Sequence, residues 1–158
     1  KERGIEDQFE IPATKILHKN NGGKFDFVGL ARNIMSFKSK FGYNGMWVEE
    51  AETVSKLSWD TLIPTIREED SEIIATWNTG DTGSHTYQLL AAPYIDEINQ
   101  NGFYEDEYIY TAKVCYWHNP YFADPLKTEM ERCKSTNYKE YLNIWCGEPR
   151  TAFDDSII

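Results

Sequence analysis

The stretch Gly45-Met46-Trp47-Val48-Glu49-Glu50-Ala51-Glu52 reads as a short apolar strand running straight into two adjacent carboxylates. A strand that ends in acids at the lip of a sheet sets hard oxygen ligands where a Mg²⁺ and a polarised water can sit beside a phosphate. This is the Walker B arrangement. In it the first acid, Glu49, holds the metal, and the second, Glu50, orients or deprotonates the water that attacks a γ-phosphate. The same eight residues also describe a strand that simply leaves a core into a solvated helix start, so the motif alone leaves both readings open.

Outward from this stretch, Glu72-Ile73-Ile74-Ala75-Thr76-Trp77-Asn78 reads as a second buried strand ending in polar side chains, and Tyr108 to Tyr116 as a third. After Glu50, the residues Val54, Leu57, Trp59, Leu62, Ile63 and Ile66 recur at helical spacing; Ser55 or Ser58 suits the cap, and Pro64 a first turn or a kink. Arg67 follows, either pairing with Glu68 and Glu69 or reaching a nucleotide phosphate in a neighbouring subunit.

On the N-terminal side, Phe9-Glu10-Ile11 and Thr14 to His18 read as short strands, and Asn20-Asn21-Gly22-Gly23 as a hairpin turn into Lys24 to Val28, together a small β-meander. Gly22-Gly23-Lys24 imitates the end of a phosphate-binding loop, but Phe25 stands where Ser or Thr is required and no glycine precedes Gly23 by five residues. It is read as a turn. Ala31 to Phe41 gathers Arg32, Lys38 and Lys40 into a solvated helix or loop.

Downstream, Thr86 to Ala92 suggests a short helix, and Pro93 to Glu107 an acidic, aromatic connection without clear periodicity. Asp124 to Lys134 and Tyr138 to Trp145 read as amphipathic helices, the second broken at Cys146-Gly147-Glu148-Pro149. His118 has no second His or Cys at ligand spacing and reads as a loop residue holding a turn.

With 158 residues, 41% of them hydrophobic, the chain is the size of one domain or part of one and can bury a core. A formal charge of −10 argues against a broad duplex-binding surface, since phosphate affinity needs clustered Lys and Arg. Three cysteines, none in a Cys-x-x-Cys pair, suggest neither a disulfide framework nor zinc and suit a reducing setting. No apolar run is long enough to span a membrane, and a start at Lys1 rather than Met leads us to expect a piece of a longer protein.

From Gln8 to Ile158 the chain resembles the large terminase subunit of tailed bacteriophages, the ATP-driven motor that packs DNA into the procapsid. Eight pieces carry the resemblance in order. Trp47-Val48-Glu49-Glu50-Ala51-Glu52 and Leu62-Ile63-Pro64-Thr65-Ile66-Arg67 are its most specific blocks, and Phe25-Asp26-Phe27-Val28-Gly29-Leu30, His118-Asn119-Pro120-Tyr121-Phe122 and Ile144-Trp145-Cys146-Gly147-Glu148-Pro149 are among the others.

The resemblance implies an α/β fold, part of a P-loop NTPase of the ASCE type, with a largely parallel sheet flanked by helices beside the β-meander. It implies ATP and Mg²⁺ as cofactors, Glu49 as metal ligand, Glu50 as the catalytic glutamate, and Lys38 and Ser39 near nucleotide or DNA. Thr76-Trp77-Asn78 takes the place of the coupling motif, with Thr76 and Asn78 sensing the γ-phosphate; relatives commonly have Asn-Pro where this chain has Asn78-Thr79. Residues 1–147 would be the C-terminal part of the motor domain and 148–158 the start of a linker toward a nuclease domain. The phosphate-binding loop, for which no Gly-x-x-x-x-Gly-Lys-Ser/Thr occurs here, would then lie upstream. Implied partners are double-stranded viral DNA, the portal protein, the small terminase subunit and further copies of the chain in a ring, in the host cytoplasm with no membrane.

Two other classes stay in view. Glu49, Glu50 and Glu52 suit a metal-dependent nuclease, although no Asp follows at a third strand end. A non-enzymatic prophage-remnant interaction domain would use the acidic, aromatic surface around Tyr94 to Tyr110.

Overall fold

The computed structural model describes residues 5–30, 34, 37, 38 and 40–150. The chain is mixed α/β, with three small sheets and five helices among the described residues. The N-terminal meander forms as read: β1 (Phe9–Glu10), β2 (Lys15–His18) and β3 (Lys24–Asp26) pair antiparallel in that order. Its tight turn needs Gly22 at φ 73°, a conformation open to glycine at little steric cost, and is closed by Gly23 N–H donating to Asn21 Oδ1 at 2.9 Å.

The centre of the fold is β4 (Gly45–Val48), parallel to β5 (Glu72–Ala75), with Val48 opposite Ala75. Met46, Val48, Ile73 and Ala75 face inward against α1 (Lys56–Leu62), joining Val54, Trp59, Leu62 and Ile66 in one core. The sequence's helical spacing is realised in part here, Leu57 and Ile63 turning outward instead, and Ser55 is the cap, accepting from Ser58 N–H at 3.2 Å. Pro64 begins a separate single turn, Ile63–Thr65, because its ring cannot continue the α-helical ladder. The other face of the pair is open, with Trp47 69% and Ile74 49% exposed, so these strands alternate in and out rather than being buried on both sides.

Two expectations need correction. The sheet is not largely parallel: the parallel part is the β4–β5 pair, and the other two sheets are antiparallel. The third strand does not join it either, since β7 (Tyr110–Ala112) folds back as a hairpin on β6 (Phe103–Glu105), leaving Val114 outside both and 75% exposed. The connection that looked featureless supplies that partner strand and α3 (Ile95–Asn101), whose end is set by Gly102 at φ 85°.

Before it, α2 (His85–Leu90) is capped by Ser84, and Tyr87, Ala91 and Ile98 form a second core. Trp77 packs against both cores. A third core lies between α4 (Asp124–Thr136) and α5 (Tyr138–Cys146), which match the two amphipathic segments and end at Gly147 with φ 68°. Cys115, Cys133 and Cys146 are all free and buried.

Candidate functional site

Parallel pairing sends both strands out of the sheet at the same end, so Glu49-Glu50 and Thr76-Trp77-Asn78 emerge side by side. The ladder continues past the strands: Thr76 N–H donates to the Val48 carbonyl at 2.9 Å and Ala51 N–H to the Thr76 carbonyl at 3.0 Å. The two polar segments are thus stapled together.

Glu49 and Glu50 are exposed, and among the described residues neither side chain makes an ion pair or a hydrogen bond. Glu50 sits in the left-handed region at φ 52°, ψ 43°, a conformation that crowds the Cβ of any residue but glycine and one that clusters at functional sites. The turn that follows is Ala51–Thr53, with Thr53 Oγ1 donating to the Glu50 carbonyl at 3.2 Å. Both acids line a broad groove of about 1760 Å³ together with Trp47, Lys24 and Phe25.

Across the pair, Thr76 Oγ1 accepts from Trp47 Nε1 at 3.1 Å. Asn78 is exposed and, among the described residues, its side chain has no hydrogen-bond partner, so it does not cap the next turn. Asp81 and Ser84 do that instead: Gly83 N–H donates to Asp81 Oδ1 at 2.6 Å, and Tyr87 N–H to Ser84 Oγ at 3.3 Å.

Two groups that sequence patterns did not single out secure this edge. Thr86, wholly buried at 0% exposure, accepts from Trp59 Nε1 at 2.9 Å and donates to the Ala51 carbonyl at 2.5 Å. Asn143, from α5, donates to the carbonyls of Thr79 at 2.5 Å and Glu148 at 2.7 Å and accepts from Arg150 Nε at 3.0 Å. Arg150 N–H in turn donates to the Gly80 carbonyl at 2.8 Å, and Thr82 N–H to the Arg150 carbonyl at 3.1 Å. Lys113 pairs with Glu148 nearby. No periodicity marks a lone Thr or Asn of this kind, because each acts through contacts far away in sequence.

The remaining candidates are placed as follows. Lys38 is exposed, while Ser39 lies outside the described residues. Lys40 and Lys24 each approach Asp26 to 3.8 Å, and Tyr43 donates its hydroxyl to the same carboxylate. That hydrogen bond, with the lysine charges, holds Asp26 below the usual carboxylate range; burial and the Asp26 contact push the Tyr43 phenol up to about 12. Arg67 is exposed and makes no ion pair among the described residues. His118 holds its loop as read, Nδ1 accepting from Cys115 N–H at 2.9 Å.

No group of three or more His, Cys, Asp or Glu side chains is arranged to hold a metal among the described residues, and Glu52 directs Oε2 into the protein without a partner. A carboxylate-cluster nuclease finds no support in that arrangement. No helix among the described residues is long and apolar enough to cross a membrane. No curated protein matches the chain at a significant level. The model of the phage terminase large subunit family matches residues 1–148, nearly all of the sequence whose strand ends and loops have just been described, and the chain belongs to that family.

Proposed function

We propose that this chain is the portion of a phage DNA-packaging ATPase that carries the Walker B acids and the coupling motif of a P-loop NTPase motor. The observation that carries the reading is the shared edge: Glu49-Glu50 and Thr76-Trp77-Asn78 leave one parallel strand pair together. Family membership supports the packaging role. Residues 1–147 belong to the motor domain on this reading and 148–158 begin a linker; viral DNA, portal, small terminase subunit and other copies of the chain are its partners in the host cytoplasm.

The acids fit Mg²⁺, which keeps most of its waters and takes one or two carboxylates plus phosphate oxygens rather than an all-protein cage. When bound with ATP, it neutralises charge on the phosphates. Glu49 holds the metal directly or through water. Glu50 accepts a hydrogen bond from the attacking water, orients it and takes its proton. Thr76, whose oxygen already accepts from Trp47, keeps its O–H to donate; Asn78, whose side chain has no hydrogen-bond partner among the described residues, offers its amide to the γ-phosphate. On this reading Lys38 and Ser39, which precede β4 in sequence, serve nucleotide or DNA contact.

The test is Glu50→Gln in the complete large subunit. ATP binding is retained while hydrolysis and packaging are lost. Hydrolysis at the normal rate would make Glu50 a structural residue.

A further inference from the structure

Glu50 occupies a left-handed backbone conformation that its own side chain does not stabilise, so something else must hold it. The residue after it is fixed at both ends. Ala51 N–H is bound by the Thr76 carbonyl, and the Ala51 carbonyl accepts the Thr86 hydroxyl at 2.5 Å. The Val54 N–H reaches the same carbonyl at 3.1 Å, and Ala51 and Thr86 are both wholly buried, so no water can replace the hydroxyl beside it. The Thr86 oxygen also accepts from Trp59 Nε1, on the helix that closes the core behind β4, a bond separate from the one to Ala51.

We propose that Thr86 is a positioning residue for Glu50. It uses one O–H to hold the carbonyl of Ala51, the residue whose N–H closes the Glu50 peptide onto Thr76, so that the turn setting where the Glu50 carboxylate points is fixed one residue on, and it links that turn to α2, the helix downstream of Thr76-Trp77-Asn78. The proposal rests on Glu50 being the acid that acts on water. A hydroxyl is required and a β-methyl is not: a valine of nearly the same shape fills the space but offers neither donor nor acceptor, whereas serine offers both.

The experiment compares Thr86→Val, Thr86→Ser and Trp59→Phe in the complete large subunit, below each variant's unfolding transition. Thr86→Val is expected to lower kcat for ATP about ten- to a hundredfold with KM within about twofold, because a carboxylate displaced by a fraction of an ångström misaligns the water but not the nucleotide. Thr86→Ser restores kcat to within about threefold, the donor being back in place. Trp59→Phe loses a buried hydrogen bond to the same hydroxyl but leaves the Ala51 contact, and so keeps kcat within about threefold despite a lower melting temperature. Equal kcat for Thr86→Val and wild type, a Ser variant as slow as Val, or a Trp59→Phe variant as slow as Thr86→Val overturns the proposal.

Hydrogen exchange at the Ala51 amide is measured alongside. Thr86→Val speeds it if the turn is held as described, and unchanged exchange rejects the positioning role whatever the catalysis. Glu50→Gln in the same series separates the two ideas: normal turnover by that variant removes the catalytic reading, while the exchange result still decides whether Thr86 holds the turn.

Discussion

Trp47 Nε1 donates to Thr76 Oγ1 at 3.1 Å, joining an exposed indole on β4 to the residue just past β5. The Thr76 oxygen is therefore occupied as an acceptor while its proton remains available. Thr76→Ser keeps both functions and should hydrolyse ATP within about threefold of the normal rate, while Thr76→Val should lose about tenfold or more. Steady-state ATPase assays on the complete subunit check this.

Asn78 separates binding from motion. Its exposed amide makes no hydrogen bond among the described residues, so Asn78→Ala should leave the fold and ATP binding nearly intact. One lost hydrogen bond, about 1 kcal/mol, is too small to expel a nucleotide held by many contacts yet enough to unbalance two close conformations. Hydrolysis should fall partly and DNA translocation stop, read by packaging and ATPase assays on one preparation; packaging at the normal rate would move the coupling role elsewhere.

The left-handed Glu50 and Asp70 give a stability comparison. Glycine relieves the conformational cost at either place, so Glu50→Gly and Asp70→Gly should each stabilise by about 0.5–1 kcal/mol in urea titrations. Asp70→Gly should leave hydrolysis unchanged, and Glu50→Gly should abolish it. A loss of stability at position 50 would mean that its side chain contributes contacts outweighing the backbone cost.

Much of this was legible in the sequence because it is local. Alternating apolar residues and an Asn-Gly turn wrote the meander; Ser55 and Gly147 wrote helix ends; the acids after Val48 wrote the edge. The strand at Tyr110–Ala112 was mispaired because a short β-rich run does not say which partner it takes, and its partner lay hidden behind Gly102 in a segment without helical period. Thr86 and Asn143 were invisible for a different reason. Their hydrogen bonds span 35 and 64 residues, and no spacing rule reaches that far.

The Tyr43–Asp26 contact ties the meander to the segment entering β4, and its titration carries a sign. Tyr43, raised from an ordinary value near 10 to about 12, contributes stability that is complete below pH 10 and is lost as pH rises through 12. Asp26, held low, contributes above the ordinary carboxylate range and loses that contribution as pH falls through its depressed value. Urea midpoints measured from pH 8 to about 11.5 should therefore decline more steeply for the wild type than for Tyr43→Phe, which lacks the phenol proton. Parallel curves would mean that the hydroxyl is not held in solution.

Asn143 closes three segments with one amide. Asn143→Ala leaves the Thr79 and Glu148 carbonyls without their donor and should cost about 1–2 kcal/mol, the sites being only partly buried. Exchange should quicken at the Thr82 and Arg150 amides and not at Thr76, whose bond lies in the β4–β5 ladder.

That closure also orders events in time. The loop after Asn78 is built from Thr79 to Thr82, yet its long-range hydrogen bonds come from Asn143 and Arg150, so it cannot adopt its final shape until α5 has left the ribosome and docked. The β4–β5 pair, closed over far fewer residues, precedes it. A nascent chain halted between them would present the two acids on a formed strand pair beside a loop still unset, and pulse-labelled exchange during refolding should find the Thr82 amide among the last to be protected.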